Sequence, residues 1–167
     1  MPHQDTNLHP EVARFLEAHP ETLAVDLLLA DLSGVIRGKR YPIEDLPQVW
    51  RSGVSFPASV FLLDTCGRSH DPGGKGFSDG DPDAIARPLP GTLKPVPWAK
   101  RPLGQLLLTF NDSKGDPLSF EPRNVLARTL EKIRGLGLKP VVAFELEFYL
   151  LDKERANGHL PQPPISP

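Results

Sequence analysis

The sequence AFELEFYL at residues 143–150 alternates between apolar side chains and glutamate or tyrosine. A repeat of two is the period of a β-strand, so the pattern predicts a strand from Val141 to Leu150. Glu145 and Glu147 would share one strand face, with their Cα atoms roughly 6.5–7 Å apart. Two carboxylates at this spacing repel each other, and Mg²⁺ or Mn²⁺ would relieve that repulsion by taking oxygen ligands from both. An amphipathic strand whose acidic face meets water fits as well, and spacing alone favours this simpler interpretation.

The residues before this stretch predict the clearest helix of the chain, from Pro122 to Leu136. Five residues recur at the spacing of one helix face, and they are Val125, Leu126, Thr129, Leu130 and Ile133. Proline suits the first turn, and Gly135 and Gly137 suit the C-terminal cap. The sequence therefore predicts a helix followed directly by the Glu145/Glu147 strand.

The chain before Pro122 predicts a domain built mainly of β-strands. Short apolar runs alternate here with turn residues such as glycine, proline and aspartate. The predicted elements are a helix from Pro10 to about His19, a hairpin over 23–41, a helix at Ile43–Arg51, and strands at Ser59–Asp64, Ala84–Leu89 and Gln105–Phe110.

Arg37, Lys39 and Arg40 make the second strand of the predicted hairpin basic. Lysine and arginine often protect an exposed sheet edge from pairing with other chains. The three cations could instead form a patch that faces an anionic substrate or a neighbouring subunit. The sequence leaves both interpretations open, and the exposed edge is the more common arrangement.

Two loop motifs fail the tests for ligand sites. His70–Gly76 is rich in glycine, but its lysine is followed by glycine rather than by the serine or threonine of a phosphate-binding loop. Asp79, Asp81 and Asp83 have the spacing of a calcium-binding loop, but alanine and proline replace the glycine and glutamate that it requires. The first segment is therefore predicted to be a mobile loop, and the second a turn that leads into the strand at Ala84–Leu89.

The composition excludes several classes of protein. A net charge of −2 over 167 residues offers no basic surface for nucleic acid, and no apolar run approaches the length of a membrane span. Cys66 is the only cysteine, so no internal disulfide can form, which fits a reducing cytoplasm. Residues 153–167 are charged and then proline-rich, which predicts a disordered tail.

Taken in order, several segments resemble the glutamine synthetase family. They are residues 119–126 (SFEPRNVL), the glycine-ended helix, the Glu-x-Glu-Phe strand, Pro97-Trp98, 106–117, 25–42 and Gly80-Asp81-Pro82-Asp83. The resemblance extends from about Leu23 to Asp152 and rests on order and spacing rather than on one motif. It is closest to the branch that glutamylates polyamines or other amines, because of Arg37-Gly38-Lys39 and Gly80–Asp83.

The resemblance implies an α+β fold in which a β-grasp-like N-terminal domain is followed by the first helix and strand of a catalytic domain. The implied divisions are an N-terminal helical segment at 1–20, the β-grasp-like domain at 21–115, the start of the catalytic domain at 116–152, and the tail at 153–167. Since the family's catalytic domain is much longer, we expect a fragment, a truncated gene product or a deliberately shortened chain, itself inactive.

The resemblance also implies a ligase that joins the γ-carboxyl group of glutamate to ammonia or an amine, with ATP as co-substrate and γ-glutamyl phosphate as intermediate. Glu145 and Glu147 would each contribute to one of two Mg²⁺ or Mn²⁺ sites. The resemblance places the other ligands, the ATP site and the glutamate-binding residues outside this sequence, so the catalytic residues are unknown. Family members form homo-oligomeric rings in which one subunit's N-terminal domain completes its neighbour's active site.

One departure from the family bears on the acceptor. Glutamine synthetases proper have an Asp-Gly-Ser-Ser run that helps to bind ammonium, whereas this chain has Asp64-Thr65-Cys66-Gly67-Arg68-Ser69 in that region. The difference favours an acceptor larger than ammonia. A different class of function, a non-catalytic β-grasp module that binds a partner through its sheet edge, also fits the fold, although such a module has no need of the Glu-x-Glu strand.

Overall fold

The computed structural model describes residues 8–153 and Leu160. Apart from Lys153 and Leu160, the predicted tail lies outside the described residues. The chain separates into two compact units, one up to Lys132 and one from Ile133 onward. The boundary expected between residues 115 and 116 is a different division, and it stays a prediction.

A mixed six-stranded sheet forms the centre of the first unit. Its strands are β1 (Ala24–Ala30), β2 (Ile36–Pro42), β3 (Val54–Pro57), β4 (Asp83–Pro88), β5 (Lys94–Pro95) and β6 (Leu103–Asn111). They lie in the order β2-β1-β6-β4-β3, and β5 pairs with β6. β1 and β6 run parallel, and the other pairs are antiparallel. The hairpin (β1 and β2) and the strands predicted near Ala84 and Gln105 are thereby confirmed.

Two short helices contribute to the core of the first unit. α1 (Pro10–Ala18) begins as predicted, and the imidazole of His9 accepts a hydrogen bond from the backbone N–H of Glu11. It ends just before His19-Pro20, because the residue before a proline avoids the helical region. α2 (Leu46–Ser52) follows a 3₁₀ turn at Ile43–Asp45, which confirms the helix predicted at 43–51.

The core lies against the buried positions of the two central strands, β1 and β6, which alternate between buried and half-buried side chains. Gly104 on β6 is one of these buried positions, and a Cβ added there would lie 2.9 Å from Cζ of Phe15. Further along β6, the ring of Phe110 meets those of Phe56 and Phe61 edge-on, at centroid distances of 5.6 and 4.7 Å. The core therefore contains a close contact between α1 and β6 near Gly104 and an aromatic cluster around Phe110.

The strand predicted at Ser59–Asp64 is wrong. Residues Ala58–Leu62 form a 3₁₀ turn, and the strand of this region is β3, which precedes it. Phe61 and Leu62 are neighbours in sequence and both are buried, whereas neighbours on a strand point to opposite faces. A short apolar run has no period that would separate a strand from a buried helical turn.

The helix predicted from Pro122 is confirmed as α3 (Pro122–Gly135), but the strand predicted after it is wrong. Residues 138–152 contain neither helix nor strand. Phe144, Leu146 and Phe148 are 92%, 87% and 76% exposed. A strand needs a neighbour to satisfy its N–H and C=O groups, and no strand in the described part of the chain pairs with this segment. None of the described helices is long and apolar enough to cross a membrane.

Candidate functional site

Glu145 and Glu147 lie in the second unit, and both are exposed. Their carboxylates are the hard oxygen donors that Mg²⁺ and Mn²⁺ prefer. Within the described ranges, no three or more His, Cys, Asp or Glu side chains are grouped so that they could hold a metal ion. Since Mg²⁺ demands octahedral coordination, the two carboxylates fit part of a ligand set, and their role as ligands stays a prediction.

Arg37 joins the turn of the first hairpin to the loop at Asp64. The side chain of Asp31 is fully buried and accepts hydrogen bonds from the backbone N–H groups of Ser33 and Val35, at 2.9 and 2.8 Å. It also accepts one of 2.6 Å from Nε of Arg37, whose Nη2 donates to the backbone carbonyl of Asp64 at 2.8 Å. Arg37 thus holds two turns together.

The other two cations of β2 are also engaged within the chain. Arg40 donates two hydrogen bonds, of 2.7 and 2.9 Å, to the carboxylate of Asp26, and this pairing raises the pKa of Arg40. Nζ of Lys39 lies 4.3 Å from the ring centroid of Phe56 and donates to the carbonyl of Ser55 at 3.0 Å. β2 lies at an edge of the sheet, as the sequence favoured. Its three cations have partners within the chain instead of forming an open patch for an anionic substrate.

The turn at Asp64 is closed by its own carboxylate. One carboxylate oxygen accepts hydrogen bonds from the backbone N–H groups of Cys66 and Arg68 at 2.9 and 2.8 Å, and the other lies 3.2 Å from Nε2 of His70. These bonds, that from Arg68 first, lower the pKa of Asp64. The carboxylate in the region that departs from Asp-Gly-Ser-Ser is therefore used inside its own turn.

Aspartates also shape the two loops whose motifs fail the ligand tests. Asp81 has a φ of 46° and accepts hydrogen bonds from the backbone N–H and the hydroxyl of Ser59, at 3.2 and 2.9 Å. Asp71 accepts from the hydroxyl of Ser78 and from the backbone N–H groups of residues 76–78. These bonds, the hydroxyl first, lower the pKa of Asp71 to about 2. Asp71 thus closes its own loop, whereas Asp81 joins its loop to the 3₁₀ turn at Ala58–Leu62.

The start of α3 contains a polar pair that the sequence reasoning missed. The carboxylate of Glu121 accepts a 2.6 Å hydrogen bond from the backbone N–H of Asn124, as a helix N-cap does. The side-chain amide of Asn124 donates to the carbonyls of Phe110 and Leu118, at 3.0 and 3.1 Å. Burial raises the pKa of Glu121. The sequence signal that could have revealed this cap is Glu121, an acidic residue directly before Pro122. Pro122 occupies the first position of the helix.

A match to a known family covers part of the chain. Residues 119–166 match the family described as glutamine synthetase, catalytic domain. The matched region includes α3 and both Glu145 and Glu147.

Curated relatives match over most of the chain. It is 48% identical over 158 residues to gamma-glutamylputrescine synthetase PuuA of Escherichia coli K12, which covers 94% of this chain and 33% of the relative. It is 32% identical to a glutamate–isopropylamine ligase of a Pseudomonas species, over 88% of the chain and 32% of the relative. It is 33% identical to the glutamine synthetase of Pyrococcus horikoshii, over 77% of this chain and 26% of the relative. The chain spans about a third or less of the length of these relatives.

Solved structures share the fold. One, titled "GmaS/ADP complex-Conformation 1", matches with a TM-score of 0.58 and 24% identity, over 75% of this chain and 26% of that chain. Another, titled "Crystal structure of novel glutamine synthase homolog", has a TM-score of 0.59 at 20% identity. The match covers 69% of this chain and 27% of that chain. These matches confirm the expected α+β class. The catalytic-domain match and the curated relatives show that the chain is related in sequence to part of the glutamine synthetase family.

Proposed function

We propose that these residues are part of an ATP-dependent glutamate–amine ligase that joins the γ-carboxyl group of glutamate to an amine through γ-glutamyl phosphate. The observation that carries the proposal is the 48% identity to gamma-glutamylputrescine synthetase over 94% of the chain. The identity to the Pyrococcus horikoshii glutamine synthetase is lower, at 33% over 77% of the chain. An amine acceptor is therefore favoured over ammonia.

The sheet of the first unit would be the β-grasp-like N-terminal domain, and the residues from 116 onward would begin the catalytic domain. The start of the catalytic-domain match at residue 119 supports this division. ATP and glutamate would be bound by parts of the relatives that this chain does not span, because it covers 33% or less of their length. The 167 residues alone are then expected to be inactive.

Glu145 and Glu147 would each contribute a carboxylate to one of two Mg²⁺ or Mn²⁺ sites of the complete enzyme. Their position inside the catalytic-domain match supports this assignment. Bound divalent ions would neutralise charge on the phosphates of the nucleotide. Because both carboxylates are exposed, further ligands can approach them without displacing core residues.

The complete enzyme would be a homo-oligomeric ring. The exposed apolar side chains of residues 141–150 support an assembled form, because a large exposed apolar surface commonly marks an interface. A cytoplasmic location fits the single exposed thiol of Cys66, which a reducing compartment would keep unpaired.

A chimera tests the proposal. The 167 residues would replace the aligned third of the Escherichia coli gamma-glutamylputrescine synthetase, and phosphate release from ATP would be measured with glutamate and with putrescine, isopropylamine or ammonia. We expect glutamate- and amine-dependent release by the chimera and none by the 167-residue chain. The unmodified Escherichia coli enzyme is the control.

The same experiment separates the ligase from the interaction module. A chimera that assembles to the same mass as the Escherichia coli enzyme, binds ATP and yet releases no phosphate would favour the non-catalytic alternative. Amine-dependent phosphate release by the 167-residue chain alone would contradict the proposed division of the site.

A further inference from the structure

A cavity of about 470 Å³ lies in the first unit, where β1 and β6 begin and β2 ends. Apolar and cationic residues line it together, and they include Leu23, Pro102, Leu103, Arg40, Lys100 and Arg101. Among the described residues that line it, none is acidic. It contains neither Glu145 nor Glu147.

Backbone hydrogen bonds fix the apolar wall of this cavity. The N–H of Leu23 donates to the carbonyl of Pro102 at 3.1 Å, and the carbonyl of Leu23 accepts from the N–H of Ile43 at 3.1 Å. Ala24 and Leu103 are register partners in the parallel pair of β1 and β6. The wall therefore belongs to the sheet, and the cavity is formed before any ligand arrives.

The charge of the cavity comes mainly from two side chains. Arg40 is already paired through two hydrogen bonds with the carboxylate of Asp26. Lys100 and Arg101 are exposed, and neither has an ion-pair partner within the part of the chain that the structure describes. About two positive charges thus remain for a ligand at neutral pH.

We propose that this cavity binds a small organic anion with two negative charges and an apolar body. Two negative charges match the two positive charges of Lys100 and Arg101, and hydrogen bonds between charged groups are stronger than those between neutral groups. The volume lies in the range of small-molecule sites, which are lined mostly by apolar groups with a few polar ones. An inorganic ion would leave the apolar wall against water, so the wall calls for an apolar body.

Phosphate monoesters and dicarboxylates share this chemistry, and calorimetric titration of the 167-residue chain separates them. The probes are phenyl phosphate, adipate and inorganic phosphate. We expect phenyl phosphate or adipate to bind at least about tenfold more tightly than inorganic phosphate, because only these two bury apolar surface. Whichever of the two binds more tightly identifies the charged group. Equal affinity for inorganic phosphate, or no binding of either organic probe at millimolar concentration, would overturn the proposal.

A pair of matched variants tests the location of the site. Lys100→Gln/Arg101→Gln is expected to weaken binding by about tenfold or more, on the scale of lost hydrogen bonds to charged groups. Lys114→Gln/Lys139→Gln removes the same charge from exposed positions that do not line the cavity, and it should bind the probe as the unmodified chain does. An equal loss in both variants would show nonspecific attraction and refute the site. The unfolding midpoints of both double variants are compared with that of the unmodified chain to check that the fold is kept.

Discussion

The side-chain amide of Asn124 donates a hydrogen bond of 3.0 Å to the backbone carbonyl of Phe110, and this bond ties the first turn of α3 to the end of β6. The same amide donates to the carbonyl of Leu118, and the backbone N–H of Asn124 is bonded to the carboxylate of Glu121. Asn124 therefore connects the sheet, the segment after it and the helix. Its neighbourhood is where the catalytic-domain match begins, at residue 119.

We expect Asn124→Ala to lower the free energy of unfolding by about 1–2 kcal/mol. The loss of stability should lie at the lower end of the range for buried polar groups, because the carbonyls of Phe110 and Leu118 each keep a hydrogen bond from a backbone N–H. Phe110 accepts from the N–H of Leu118 at 2.9 Å, and Leu118 accepts from that of Glu121 at 3.3 Å. Urea unfolding measures the change. Lys132→Ala, at an exposed position of the same helix, is the control and should cost nothing, since alanine favours helices.

The predicted effect of Asp71→Asn depends on pH. The pKa of Asp71 is lowered from 3.8 to about 2, so the unfolded chain takes up this proton more readily than the folded chain does. The stability contributed by the charged carboxylate is fully present above about pH 4 and is lost as the pH falls towards about 2. Asp71→Asn should therefore be less stable than the unmodified chain at neutral pH, and the difference should shrink through that acidic window.

Thermal unfolding at a series of pH values measures this difference. Asp116→Asn, at an exposed position of another loop, is the control and should show no comparable convergence. A difference that stays constant down to about pH 2 would mean that the hydroxyl and N–H bonds to Asp71 do not depend on its charge.

The elements that were predicted correctly begin or turn at residues whose preferences are visible in the local sequence. α1 and α3 begin at prolines, and the β1–β2 hairpin has Asp31 and Gly34 at its turn. Asp31 shows the limit of such a signal, because the sequence marks a turn there but does not reveal that Arg37 also binds its carboxylate. That contact joins side chains that lie on different elements, and no local pattern contains it.

The two wrong strands failed for different physical reasons. At Ser59–Asp64 the apolar run was too short to have a period, and the 3₁₀ turn is fixed by a distant residue, since Asp81 bonds to Ser59. At 141–150 the period is clear, but alternation says only which face a strand would bury. Whether a strand forms depends on a partner for its backbone groups, and the described residues offer none.

This unpaired segment predicts how the 167-residue chain behaves in solution. We expect a monomer or a weak dimer, with association driven by side chains such as Phe144 and Phe148, which are 92% and 76% exposed. Phe144→Ser/Phe148→Ser should reduce the concentration dependence of the mass measured by light scattering. Phe77→Ser, at a position 59% exposed in the first unit, should leave it unchanged. A stable hexamer or larger ring would contradict the prediction.

Glu145→Gln/Glu147→Gln should change the free energy of unfolding of the 167-residue chain by no more than about 0.5 kcal/mol, as is usual for surface substitutions. Both glutamates are exposed, and Mg²⁺ or Mn²⁺ would be held weakly by two carboxylates because most of its coordination shell would remain water. Denaturant curves with and without millimolar Mn²⁺ measure this. A loss of about 3–5 kcal/mol in metal-free buffer, on the scale of a broken buried ion pair, would make the glutamates partners of buried cations.

In the chimera with the Escherichia coli enzyme the same double substitution should abolish amine-dependent phosphate release. Glutamine has nearly the shape of glutamate, so the change removes the charge of the two proposed metal ligands and little else. The matched control is Glu17→Gln/Glu44→Gln, which removes two charges at exposed positions of the first unit and should keep the activity. If both chimeras release phosphate at the same rate and need the same concentration of Mg²⁺, then Glu145 and Glu147 do not bind the metal. Loss of activity only in Glu145→Gln/Glu147→Gln, with partial recovery at high Mn²⁺, would identify them as ligands.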